Sequence, residues 1–173
     1  MIKKTIIILL LLLCSGWWGY AQHLERLNKA EIEANKTPRA AAYNFVTGII
    51  TENYAQAVEL MTLGLFFELM PDLFGDGIPI NQLFSSEYTH NIVDMRPVVK
   101  LGYEVVITDS QPLDTKKYFE ESSKYRGAPA FGITFNCVDT NNNFYDGSHG
   151  SYDTDVTVMV VKEEGKWKVF GFK

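Results

Sequence analysis

Cysteine is scarce in this sequence. Cys14 and Cys137 are the only two, and Cys14 falls in an N-terminal stretch that reads as removable. Cys137 is then left alone, which excludes an internal disulfide framework. Histidine is nearly as rare: His23, His90 and His149 are far apart, and with Cys137 they show no zinc-ligand spacing. A Gly-rich phosphate loop and a Gly-x-Ser-x-Gly elbow are both missing, which removes two common routes to phosphate binding and to acyl transfer. No run of basic side chains occurs, so nothing offers an electrostatic footprint for nucleic acid or a polybasic patch for anionic lipid. The sequence asks for no cofactor and no metal.

Long hydrophobic runs are also lacking, with one short exception at the start. Lys3 and Lys4 make a positive n-region, Thr5 to Leu13 is apolar, and Gly19-Tyr20-Ala21 sets small residues where a signal peptidase reads. Residues 1–21 therefore read as a signal peptide, and the product is expected to be exported, periplasmic or secreted. A stable span needs about 18–20 apolar residues; Ser15, Gly16 and Gly19 interrupt too early for one, so an uncleaved anchor is the weaker reading. Lipid attachment at Cys14 is the alternative, although that chemistry prefers a small residue where Leu13 stands. Removing Lys3 and Lys4 from the 16 Lys and Arg leaves 14 against 21 Asp and Glu, a mature charge of −7. An acidic balance of that size serves solubility.

The remaining residues, roughly 150, suit one domain with one core. Residues 22–36 are charged and weakly periodic through Leu24, Leu27 and Ile32; they read as a solvated lead-in, or a frayed helix. The domain proper, 37–173, opens at Thr37-Pro38, a helix cap followed by a favoured first-turn proline. Ala42, Phe45, Val46, Ile49 and Ile50 then paint one helical face. Asn53 can cap a second helix, in which Tyr54, Ala57, Val58 and Met61 repeat the spacing; past Gly64, Leu65, Phe66, Leu69 and Met70 continue it until Pro71. Residues 72–79 read as a loop, and Leu83, Phe84, Glu87 and Tyr88 allow a short third helix.

From about Met95 the period falls to two. Val99, Leu101, Tyr103, Val105 and Ile107 alternate with polar neighbours and predict a half-buried strand. Residues 114–125 are charged, a loop or one to two helical turns. Ala130 to Val138 is a second strand, with Phe131, Ile133, Phe135 and Cys137 on one face, so Cys137 reads as a buried structural thiol. Residues 139–153 are polar and rich in Asn and Gly. Strands near 155–162 and 166–172 close the chain around Glu163-Glu164-Gly165, a hairpin turn in which Gly is free to take positive φ. The hairpin is apolar on both faces, Val156, Val158 and Val160 on one and Met159 and Val161 on the other. Such a sheet is covered twice, by helices on one side and by a partner or its own curl on the other. Helices first and an antiparallel sheet after is an α+β plan.

Thr37-Pro38 with Ala42-Tyr43-Asn44-Phe45, then Asn53-Tyr54-Ala55-Gln56-Ala57 and Leu60-Met61-Thr62, resembles the opening of nuclear transport factor 2-like domains. The ending Val158-Met159-Val160-Val161-Lys162-Glu163-Glu164-Gly165-Lys166-Trp167-Lys168-Val169 is similar to their last hairpin. The resemblance covers about two-thirds of the mature chain and extends to exported bacterial members of unknown function; 72–98 and 110–153 depart from it with longer insertions. It implies a cone: N-terminal helices packed in a curved, mostly antiparallel sheet, with a cavity at the open end. Members of the superfamily include isomerases, dehydratases, small hydrolases and non-catalytic binding or assembly domains, so the fold does not choose the function.

Candidate residues were weighed on their own chemistry. His90 and Asp94 fall between the last helix and the first strand, where a cone opens. A histidine near a carboxylate is an acid–base pair in principle, and an ordinary polar helix end otherwise. Tyr103, on the inward face of its strand, can orient a ligand or simply pack; the same holds for Tyr54 and Tyr88. These five are the candidate ligand-binding residues. Asp139, Asn141, Asn143 and Asp146 approach a calcium-loop spacing, but Phe144 and Gly150 stand where the loop's Gly and closing Glu belong, and a solvated Asx turn fits better. The expected function is an exported, non-catalytic binding domain for a small apolar ligand or an envelope protein. The alternative is a small cofactor-free isomerase or hydrolase built on His90, Asp94 or Tyr103. A homodimer through the sheet face is compatible with either.

Overall fold

A computed structural model describes residues 24–69 and 89–173. The signal peptide with Cys14, the loop over 72–79 and the short helix ending at Tyr88 lie outside the described residues. The elements run α1 (Lys29–Ala34), α2 (Pro38–Ile50), α3 (Tyr54–Glu59), α4 (Leu63–Leu69), α5 (His90–Lys100), then β1 (Glu104–Pro112), β2 (Ala130–Val138), β3 (Val156–Glu163) and β4 (Lys166–Phe172). The four strands pair antiparallel in the order β1-β2-β3-β4, and the sheet is not closed. The architecture is α+β, consistent with a cone-like plan.

The central helix α2 is specified locally. Thr37 Oγ1 accepts from the Ala40 amide at 3.1 Å, and Pro38 occupies the first turn, where its missing N–H costs nothing. Its apolar face carries Phe45, Val46 and Ile49, all fully buried, against Ile92 and Met95 of α5 and Ile133, Phe135, Val158 and Val160 of the sheet. Each such side chain removed from water contributes about 1.5–3 kcal/mol before entropy is counted. The space between helices and sheet is thus filled by core side chains.

Three sequence expectations change in detail. Residues 22–36 are no free lead-in over their described part. Asn28 caps α1 by accepting from Glu31 N, Asn44 Nδ2 donates to the Ile32 carbonyl, and Glu25 exchanges two backbone hydrogen bonds with Ile107 at 2.8 and 3.0 Å. The second helix breaks at Leu60–Thr62, before Gly64. There the backbone leaves the helix to bond Val169: Val169 N donates to the Leu60 carbonyl and Thr62 N to the Val169 carbonyl, each 2.7 Å. The strand expected from Val99 begins only at Glu104. Alternation through Val99, Leu101 and Tyr103 competes with a 3–4 spacing through Ile92, Met95 and Val98, and burial of the latter set decides for helix, even with Pro97 inside it.

Both edges of the sheet are covered in consequence, β1 by Glu25 and β4 by Leu60–Thr62. Two bulges interrupt the ladder. Thr108 is the extra residue between Ile107 and Asp109, and Phe170 is the extra residue between Val169, which faces Val160, and Gly171, which faces Met159. The closing turn pairs Glu163 with Lys166 and places both Glu164 (φ 49°) and Gly165 (φ 84°) in the left-handed region. On the sheet face away from the helices Val106, Val138 and Val161 have no exposed surface. Part of that cover is the chain's own 113–130 segment: Leu113 lies over Gly132, and Phe119 stacks at 5.0 Å on Phe170.

Candidate functional site

The residues singled out from sequence do not form one site. His90 and Asp94 are not in a connection; they lie one turn apart in α5. His90 is exposed at its first position, and Asp94 Oδ2 accepts from the Asp153 amide at 3.4 Å. Tyr103 precedes β1 rather than sitting within it. Its ring meets Tyr145 edge-on at 5.3 Å, and desolvation, followed by the charges of Asp146 and Asp139, raises its hydroxyl pKa above the ordinary tyrosine value. Tyr54 starts α3, and its hydroxyl accepts from Arg96 Nη2 at 3.2 Å. Tyr88 lies outside the described residues.

The Asx-rich loop satisfies itself. Asp139 Oδ1 accepts from the amides of Asn141 and Asn143, both 2.8 Å, and Oδ2 from Asn143 Nδ2 at 3.0 Å. The hydrogen bonds from Asn143 hold its carboxyl below the usual range. Among the described residues no three His, Cys, Asp or Glu side chains come close enough to share a metal ion.

Two clefts stand out among the described residues, and neither is lined by Tyr54, His90, Asp94 or Tyr103. One, of about 580 Å³, is lined largely by polar residue types: Asn35, Lys36, Asn44, Gln56 and Glu59 face the β3–β4 turn at Lys166–Lys168. Lys168 Nζ donates to the Glu59 carbonyl across it.

The other, of about 460 Å³, opens where β4 ends and is mostly apolar and aromatic. Its construction follows from the backbone. Thr62, tied to Val169, caps α4 by accepting from Leu65 N at 3.2 Å, which hangs that short helix on the sheet edge. Leu65 enters the core, while Glu68 and Leu69 face the cleft. Phe170 forms the opposite wall, on the face away from Val169, and the bulge leaves it unpaired while Gly171 takes the place opposite Met159. Tyr118 and Phe119 lie 5.8 and 5.0 Å from its ring, and Tyr125 stands 5.1 Å from Phe119. Gly171 leaves room for Met159, whose Cε would sit 2.8 Å from any Cβ there. Tyr125 is fixed in turn because its hydroxyl donates to Glu163 Oε1 at 3.0 Å, the carboxylate that also receives Lys124.

These cleft residues were not identified in the sequence as a site. The signals were an apolar outer face on the last hairpin, Met159 among it, and three aromatics at 118, 119 and 125 within a charged segment. Neither signal says that the segment folds back onto the hairpin.

No protein-family model matches the chain, and no curated protein matches it.

Proposed function

We propose that this chain is an exported, non-catalytic binding domain of the nuclear transport factor 2-like kind that holds a small apolar molecule in the cleft beside β4. The observation that carries the reading is the aromatic cluster at the β4 bulge, where Phe170, Tyr118 and Phe119 wall a cleft that also holds Met159 and Phe172. Bulges of this kind re-aim side chains near functional sites, and a concave apolar lining with few polar groups is what small-ligand sites have. The helix-then-antiparallel-sheet order agrees with the family resemblance at both ends of the domain. Export rests on Lys3-Lys4, the apolar run and the Gly19-Tyr20-Ala21 site, with lipidation at Cys14 as its alternative. No described helix is long and apolar enough to cross a membrane.

The isomerase or hydrolase alternative draws no support from the cleft, because its proposed residues line neither wall. Native mass spectrometry of the protein purified gently from its host envelope tests the reading. A bound small molecule is expected, lost from Phe170→Ala and retained by the double variant His90→Asn with Asp94→Asn. A clean apo mass overturns the small-ligand reading in favour of an envelope-protein partner or a homodimer. Loss of ligand or activity from the double variant alone favours the enzyme.

A further inference from the structure

We infer that the ligand of the β4 cleft is a cationic amphiphile, an amine with an alkyl or aryl body, whose ammonium group sits against Glu68. This rests on the reading of that cleft as a ligand site. Among the described residues, Glu68 is the one charged residue in the lining. It projects from α4 toward a wall of Phe170, Tyr118 and Phe119, and it makes no ion pair or hydrogen bond among the described residues. Glu163, which receives the Tyr125 hydroxyl, shows the contrast: it is already occupied by Lys124 and Tyr125. Among the described residues no lysine, arginine or histidine lines the cleft to attract an anion.

Two independent physical terms then favour one sign of charge. The carboxylate attracts a cation directly, and the aromatic faces present the negative side of their quadrupoles to whatever lies over them. An anionic head group would meet both as repulsion. A neutral ligand gains only from the apolar wall, leaving Glu68 hydrated at the mouth at little cost because the residue is exposed. The preference is therefore moderate in size: a cation is bound about three- to fivefold more tightly than a neutral molecule of the same body, the scale of a solvent-screened ion pair.

The test uses three probes with one apolar body: octylammonium, 1-octanol and octanoate, titrated into the protein and read by calorimetry or by chemical-shift changes. The expected order of affinity is octylammonium, then octanol, then octanoate. In Glu68→Gln, octylammonium falls to the level of octanol while octanol itself is unchanged, and high salt does the same to the wild type. Phe170→Ala weakens all three. Equal binding of ammonium and alcohol in the wild type, with Phe170→Ala still weakening both, overturns the charge inference and leaves the cleft reading standing. Absence of binding by every probe, or binding that Phe170→Ala does not alter, overturns the cleft reading and this inference with it.

Discussion

Arg96 holds Tyr54 and the end of α2 together. Its Nη2 donates to the Ile49 carbonyl at 2.9 Å and to the Tyr54 hydroxyl at 3.2 Å, while Nη1 lies 2.9 Å from Glu52 Oε1. The guanidinium thereby joins α5 to the α2–α3 turn. Glu52 is well exposed, so its ion pair adds little. The carbonyl bond matters more: the Ile49 carbonyl also accepts from the Glu52 amide at 3.2 Å, but the guanidinium gives it a charged donor, and hydrogen bonds to charged groups contribute about 1.5–3 kcal/mol. Arg96→Ala is expected to lower unfolding free energy by about 2 kcal/mol, and Tyr54→Phe by about 1 kcal/mol or less. Urea denaturation of the two variants checks this. A Tyr54→Phe effect as large as that of Arg96→Ala would show that the tyrosine hydroxyl has a larger role than the one assigned to it.

Glu163 supplies a pH dependence with a definite sign. Its side chain is mostly buried, and the hydrogen bond from Lys124, with that from Tyr125, holds its carboxyl below the ordinary glutamate value. A carboxyl whose pKa is lower folded than unfolded binds fewer protons in the native state. It therefore adds stability above the unfolded value, and loses it as pH falls through the folded one. The Glu163→Gln variant lacks this term. The stability difference between wild type and variant should be largest near neutrality and should shrink as pH drops from the ordinary glutamate range through the lowered value. Chemical denaturation of both proteins between pH 7 and pH 3 measures it; a gap that widens on acidification would contradict the assignment.

How much of this was legible in the residues differs by region, and the reasons are physical. The α2 helix is encoded by contacts within a few residues, Thr37 with Ala40 and Phe45 with Ile49, and is legible in the sequence, as are the Ala130–Val138 strand and the closing hairpin. The α5–β1 junction is ambiguous in the sequence because Val99 and Leu101 extend the alternation of β1 while Ile92, Met95 and Val98 set a helical spacing, and only burial of the latter set against Phe45 and Ile133, distant in sequence, decides between them. The cleft was invisible for the same reason. Phe119 and Phe170 are 51 positions apart, and the bulge leaves little mark in the alternation, because Phe170 stays in phase with Lys168 and only Gly171 and Phe172 shift.

Cys137 should be chemically silent in the folded protein. It has no exposed surface, and burial pushes its thiol pKa up to about 12. The thiolate is the reactive species, and both access and ionisation are denied to it. At pH 8 a disulfide reagent such as Ellman's should leave Cys137 unmodified for as long as the fold persists and titrate it fully in denaturant. Rapid reaction of Cys137 in native buffer would show that the β2 face opens locally far below global unfolding.

Glu25 and Ile107 form the seal on the β1 edge, and its removal should be felt as association rather than as unfolding. The two residues exchange both backbone hydrogen bonds, and the seal is anchored on each side: Arg39 pairs with Glu25 at 2.8 Å and Arg26 with Glu104 at 2.7 Å. Deleting residues 22–28 removes these contacts, the packing of Leu27 on the rim of the core and the Asn28 cap, while the buried side chains Phe45, Ile49 and Met95 remain. What it exposes is the unpaired N–H and C=O of Ile107 on an edge strand, the feature through which sheets join edge to edge. The bulge at Thr108 shortens the regular edge to Glu104–Ile107, so the expected product is a weak dimer, not a fibre. Sedimentation should show concentration-dependent dimerisation of the truncated protein at micromolar levels, with circular dichroism close to wild type. Replacing Glu25 by Pro, which removes the donor to Ile107 but keeps the chain, should give a smaller shift in the same direction. A truncated protein that stays monomeric would mean the edge is protected by the bulge alone.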